Sequence, residues 1–221
     1  MHCVCLGTVR RIFTFLMKGP LHVKISRQQV NLISSRLISL SRCFPQEFAR
    51  KPWSLVEFER FKATEFRTLL LYSGPLVLKG IVNNSVYSHF MSLHVAIFIL
   101  THPEKCKMPN YLNHASDLLY HFVENASLVY GQEFVTCNIH SLLHIPEDCK
   151  KFGPLDSYSC FPFENYLSFI KKLVRNGKHP LAQVKFSFSV FFNICYVFLP
   201  GRLLEKFQKV LFLNSRQDKE N

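Results

Sequence analysis

Apolar residues recur along most of this chain with the three-to-four-residue spacing of amphipathic helices. In the first such segment, residues 4–17, the apolar stripe is interrupted by Arg10, Arg11 and Thr14 and stops before Gly19-Pro20. Segments with the same spacing cover residues 28–40, 86–100, 111–130 and 163–174. Residues 86–100 are apolar on nearly every side, which predicts a buried helix. No stretch alternates like a strand, so we expect an all-α fold, an irregular helical bundle.

Several residues predict where these helices begin and end. Ser54 and Glu57 have the S-x-x-E spacing of a capping box. We expect Gly74-Pro75 to break the apolar stretch that runs from Thr64 to Leu71. Asn84 or Ser85 is expected to cap the helix over 86–100. Gly131 is expected to end the helix over 111–130.

Length and composition predict one principal domain. With 221 residues, of which 48% are hydrophobic, the chain can bury one sizeable core. We expect a helical region over 1–184, followed by a divergent apolar and basic tail, 185–221, outside that fold. The apolar run Phe186–Leu199 is shorter than the ~20 residues that cross a bilayer, so membrane insertion is not expected.

The formal net charge of +12 is unevenly distributed. Residues 1–62 contain eleven Lys and Arg against three Glu, a formal net charge of +8, and no acidic residue precedes Glu47. Such a stretch attracts phosphate backbones without sequence preference, although an ordinary solvated surface gives the same pattern. The sequence leaves both interpretations open.

The cysteines and the N-terminus indicate a nuclear or cytoplasmic protein. The eight cysteines form no C-x-x-C pair and no even spacing, so we expect reduced thiols rather than a zinc ribbon or a disulfide scaffold. Arg10 and Arg11 interrupt the apolar stretch that would form the core of a signal peptide.

Two histidines and one glutamate form the motif with the clearest chemistry. His140 and His144 are four residues apart, so on a helix they share a face and can share a metal ion. Glu164 follows twenty residues after His144 and opens the next amphipathic segment. Two other histidines, His89 and His94, lie in an apolar segment and are expected to be core or interface residues.

These motifs resemble those of cut-and-paste DDE transposases of the CACTA (En/Spm) type, in particular the animal branch. The resemblance covers roughly residues 1–184 and rests on MHCVCLGTVRR at 1–11, EFARKPWSLVEFERFKATEFRTLLLYSGPLVLKGI at 47–81, HFMSLHVAI at 89–97 and FGPLDSYSCFPFENYL at 152–167. It implies the helical insertion and the last helix of an RNase H-like catalytic domain, without its sheet.

The resemblance also implies which residues have a functional role. Glu164 corresponds to the third acid of the DDE triad, and the second acid would lie two residues before Met1. Because one carboxylate cannot hold the magnesium pair of the intact enzyme, we expect no catalysis from these residues. The resemblance further implies that His140 and His144 bind a structural zinc, with His2 and Cys5, or Cys3, as further ligands.

The insertion in this family helps to bind transposon ends and partner subunits, so the resemblance implies a DNA or a protein partner. Weak, non-specific DNA contacts are expected from six basic residues that flank turns or open helices: Arg10, Arg11, Arg50, Lys51, Lys62 and Arg67. The alternatives are a domesticated helical module that binds another protein, and a decayed gene product without a selected function. No small-molecule substrate is expected.

Overall fold

The computed structural model describes residues 1–48 and 50–187, and these form helices and turns without a β-strand. The all-α prediction is therefore confirmed for this part of the chain. Met1–Cys160 form one compact unit, and a second unit begins at Phe161. No helix among the described residues is long and apolar enough to cross a membrane. The predicted tail and its run Phe186–Leu199 lie almost entirely outside the described residues.

The first two helices form where the apolar spacing predicted them. A π-helical turn, Cys3–Val9, continues directly into α1, Arg10–Lys18, which ends where the N–H of Gly19 donates to the carbonyl oxygen of Phe15. The second helix, α2, spans Arg27–Ser41.

A capping box forms at the start of α2 rather than at Ser54. The backbone N–H of Gln29 donates to Ser26 Oγ, and Gln29 Oε1 accepts from the N–H of Ser26. Ser54 is the N-cap of the next segment, as predicted, but the capping box with Glu57 does not form. Ser54 Oγ accepts from the N–H of Val56, but the segment Leu55–Arg60 is a short 3₁₀ helix. Glu57 leaves helical geometry and pairs with Arg60 at 3.1 Å.

The prediction that Gly74-Pro75 breaks the helix is also wrong. Helix α3, Ala63–Thr68, passes through a π-helical turn, Leu69–Ser73, into α4, Gly74–Leu78. The N–H of Gly74 donates five residues back to Leu69, and Pro75 then lies in the first turn of α4, where its missing N–H is tolerated. Gly74 serves packing instead, since a Cβ there would lie 2.6 Å from the Phe90 ring.

Helices α5, Asn84–Thr101, and α6, Pro109–Tyr130, form a hairpin at the centre of the first unit. The N-cap of α5 is Asn83, one residue earlier than predicted, and its Oδ1 accepts from the N–H of Ser85. Helix α6 ends at Gly131, as predicted. The fully buried side chains along this pair include Phe90, Leu93, Ala96, Ile97, Leu119, Phe122 and Tyr130.

Further helices follow the hairpin in the described residues, and 180–187 are also helical. Helix α7, Cys137–His140, continues through a 3₁₀ turn, Ser141–His144, into α8, Ile145–Phe152. The Cys3–Val9 turn packs on α7, and α8 packs on α6. In the second unit, α9 spans Phe161–Leu173, close to the predicted 163–174. The backbone of Glu164 lies in the first turn of α9, as expected.

Candidate functional sites

His140 and His144 lie side by side on one helical stretch, as predicted. His140 ends α7, His144 ends the following 3₁₀ turn, and their ring centroids are 5.5 Å apart. Both side chains are exposed. Two exposed imidazoles at this separation can approach one metal ion from the same side.

The fold also brings the chain's N-terminal turn to α7. Gly7 lies so close to α7 that a Cβ there would be 2.9 Å from the Asn138 side chain, and Cys3 Sγ donates to the Asn138 carbonyl oxygen at 3.1 Å. Cys5, however, is fully buried, and burial raises the pKa of its thiol to about 12. Since the thiolate is the zinc ligand, a thiol held protonated in the core is a poor one.

Within residues 1–48 and 50–187, no three His, Cys, Asp or Glu side chains come together in a group that could hold a metal ion. His2, which is exposed, and Cys5 therefore do not complete a zinc site with the histidine pair in this structure. The residues supply two of the four ligands that a structural zinc requires. Zinc binding stays a prediction that rests on His140 and His144.

His89 is a core residue, as expected. It is 3% exposed, stacks on Phe122 with ring centroids 4.0 Å apart, and its Nε2 lies 2.8 Å from the Phe122 carbonyl oxygen. Burial lowers the pKa of His89 to about 4, so its ring is neutral at physiological pH. His94 is half-buried, and its Nδ1 lies 2.7 Å from the Leu70 carbonyl oxygen.

Three of the six predicted DNA-contacting residues form hydrogen bonds or an ion pair within the protein. Arg11 donates to the carbonyl oxygens of Phe134, at 2.8 Å, and Glu133. Arg67 donates to Asp156 at 2.5 Å and has 26% of its side chain exposed. Arg50 lies 3.6 Å from the buried carboxylate of Glu65. These guanidinium groups connect helices and loops of the protein, which limits their availability to a phosphate.

The other three, Arg10, Lys51 and Lys62, have exposed side chains without an ion pair or side-chain hydrogen bond in the described part of the chain. Sequence reasoning missed three further basic residues of this kind in the same stretch: Lys24, Arg27 and Arg42. The sequence could have indicated two of them, because Arg27 and Arg42 flank the predicted α2. A cation at the start of a helix, such as Arg27, is disfavoured by the helix dipole and is well placed for an anion.

These six residues define what we call the basic surface set: Arg10, Lys24, Arg27, Arg42, Lys51 and Lys62. All are exposed, and all lie within the first 62 residues, where the formal net charge is +8. None of the six forms an ion pair in the part of the chain that the structure describes, although Arg10 lies close enough to the carboxylate of Glu59 to lower its pKa. Exposed cations of this number attract a phosphate backbone without sequence preference.

Comparisons with protein families, with curated proteins and with solved structures found no match to this chain.

Proposed function

We propose that this chain is a transposase-derived helical region that binds duplex DNA weakly and without sequence preference, and that it does not catalyse DNA cleavage by itself. Support comes from the described all-α architecture, from the histidine pair preceding a helix that contains Glu164, and from the charge of residues 1–62. The family assignment, CACTA-type DDE transposase, rests on the motif resemblance and is part of the proposal.

The observation that carries the DNA-binding proposal is the basic surface set. Six exposed cations that form no ion pair among the described residues retain their attraction for phosphate, whereas Arg11 and Arg67 already donate to carbonyl and carboxylate oxygens. Each phosphate contact releases condensed counterions, so binding weakens as salt rises. We expect dissociation constants on the order of 10⁻⁴ to 10⁻⁶ M at physiological salt, the usual range for non-specific contacts.

A second candidate function, binding to another protein, is favoured by a different observation. Leu32 and Ile38 on α2 and Leu76 on the neighbouring α4 are 47%, 52% and 61% exposed. Exposed apolar area is a feature of protein-binding surfaces. Salt distinguishes the two functions, since burial of apolar area does not weaken as salt rises.

The absence of catalysis follows from the acids that the resemblance assigns. Within these 221 residues it matches Glu164 alone to the triad, and two-metal phosphodiester chemistry needs a clamp of several carboxylates. We expect no cleavage and no strand transfer when the protein is incubated with end-labelled duplex DNA and magnesium or manganese. Products that form with the wild type and disappear in Glu164→Ala would contradict the proposal.

A further inference from the structure

An exposed aromatic surface lies where α5 ends and α6 begins, at the turn of the central hairpin. Phe98, Met108 and Tyr111 are 41%, 49% and 44% exposed. His102 and Lys105 are half-buried between them. We call these five residues the hairpin aromatic surface.

Lys105 connects the two aromatic rings of this surface. Its ammonium nitrogen lies 4.9 Å from the centroid of the Phe98 ring and 5.8 Å from that of Tyr111. The backbone that carries it is fixed by His102, whose Nδ1 accepts from the N–H groups of Glu104 and Lys105 at 3.2 and 3.3 Å. A full positive charge is therefore held beside two flat apolar faces.

The rings also continue along α5. His94, Phe98 and His102 are four residues apart and share one side of the helix. The ring centroids of His94 and Phe98 are 6.2 Å apart with their planes inclined by 29°, and those of Phe98 and His102 are 6.3 Å apart with planes inclined by 58°. The three rings therefore form a row along one side of α5.

The charges around this surface favour an anionic partner. Glu104 is paired with Lys107 at 3.6 Å, so it does not neutralise Lys105, and the first turn of α6 contains no acidic residue. The whole chain carries a formal charge of +12, which opposes a second copy of itself. Single-stranded nucleic acid combines a negative backbone with the flat apolar faces of its bases. In a duplex those base faces are stacked inside and cannot contact the protein.

We propose that the hairpin aromatic surface binds single-stranded nucleic acid by stacking unpaired bases on Phe98 and Tyr111 while Lys105 contacts the phosphate backbone. The surface shares no residue with the basic surface set, so this activity stands apart from the proposed duplex binding. Stacking tolerates every base, so no sequence preference is expected.

The test measures fluorescence anisotropy of a labelled oligothymidine of about 15 nucleotides, a length that covers one such site. Phe98→Ala and Tyr111→Ala are each expected to weaken binding at least about 5-fold, the lower end of the cost of losing one stacked base. The matched control is Tyr120→Ala. Tyr120 is 60% exposed and lies nine residues further along α6, on the opposite side of that helix, so its loss should leave affinity unchanged.

A second measurement uses only the wild-type protein. A strand of equal length built from abasic sites keeps the phosphates and removes the bases. It should bind at least about 25-fold more weakly than oligothymidine, the product of two losses of about 5-fold. Equal binding of the two strands would overturn the proposal. So would unchanged oligothymidine binding in both alanine variants, or an equal loss of duplex binding in them. A dimer in sedimentation that the alanine variants abolish, without an effect on oligothymidine, would assign the surface to a second copy instead.

Discussion

At the level of single residues, His89 shows how a buried polar side chain constrains this fold. Its Nε2 lies 2.8 Å from the Phe122 carbonyl oxygen and therefore carries the proton, while Nδ1 is buried without a hydrogen-bond partner among the described residues. Protonation would place a second N–H, and a charge, where nothing accepts it. Burial accordingly lowers the pKa of His89 from its ordinary 6.5 to about 4.

This pKa predicts how stability depends on pH. Because the folded pKa is depressed, the unfolded state binds the proton first, and stability is lost as pH falls from about 6.5 towards 4. The loss from this group should be on the order of 3 kcal/mol. Urea denaturation at pH 7, 6, 5 and 4 measures it. His89→Leu should lose less stability over the same range than the wild type, and identical pH profiles would refute the assignment.

Glu65 is a second residue whose role comes from long-range contacts. Its buried carboxylate accepts from Trp53 Nε1 at 2.6 Å and from the N–H of Lys62 at 2.7 Å, and Arg50 lies 3.6 Å away. It therefore fastens the loop before the Leu55–Arg60 turn to the start of α3. Arg50, a predicted DNA contact, keeps 45% of its side chain exposed beside this carboxylate.

Glu65→Ala should lower the free energy of unfolding by about 1–3 kcal/mol, because it leaves the indole N–H of Trp53 without its acceptor. Trp53 is the single tryptophan of the chain, so its fluorescence reports the same site, and a red shift is expected as the loop opens. The matched control is Glu57→Ala, which removes an exposed i,i+3 pair with Arg60 and should cost less than about 1 kcal/mol. Equal effects of the two changes would show that Glu65 has no special role.

At the level of helices, glycine conformations decide where several segments end. Gly131 follows α6 with φ 97° and ψ 162°, a region that side chains with a Cβ avoid. A Cβ would meet no atom there, so any cost of substitution comes from the backbone alone.

Gly131→Ala should therefore lower the free energy of unfolding by about 1–3 kcal/mol. Gly177 provides a matched control, since a Cβ at that position also meets nothing but φ is not positive. Gly177→Ala should change stability by less than about 0.5 kcal/mol. Thermal or urea denaturation of the two variants makes the comparison, and a neutral Gly131→Ala would contradict the conformation of this cap.

The helices show what local pattern can and cannot predict. Apolar spacing located α1, α2, α5 and α6, because each buries a face of its own. It also located α9, although none of the described side chains of that helix is buried. It failed at Gly74-Pro75, because the π-helical turn before them absorbs the missing hydrogen bond. The capping box expected at Ser54 did not form, because the segment is a 3₁₀ helix in which Glu57 leaves helical geometry.

The candidate sites were predictable to a smaller extent. The His140 and His144 pair follows from spacing within one helical stretch. The partners of Arg11 and Arg67 lie 123 and 89 residues away, and no local pattern shows that these side chains are occupied. Lys105 beside Phe98 and Tyr111 was missed because Lys105 lies in a 3₁₀ turn, Lys105–Lys107, between α5 and α6, which the apolar spacing does not predict.

At the level of the whole molecule, positive charge is separated from the buried helical core. Helices α5 and α6 supply much of that core, whereas the basic surface set comes from α1, α2 and the loops that flank α2 and α3. Charge on this surface can therefore be changed without disturbing buried contacts. This separation makes the DNA-binding proposal testable with a folded protein.

The most direct test compares the salt dependence of duplex binding in two variants with the same change of charge. The first variant replaces Arg10, Lys51 and Lys62 with Glu. The second replaces three other exposed residues with Glu: Lys79, Lys150 and Lys178. The logarithm of the binding constant is plotted against the logarithm of the salt concentration. The slope should be less negative by about 3 in the first variant than in the wild type, since each lost phosphate contact changes the slope by roughly 0.9. The second should keep the wild-type slope. Equal slopes in both variants, or no duplex binding by the wild type at low salt, would contradict the account.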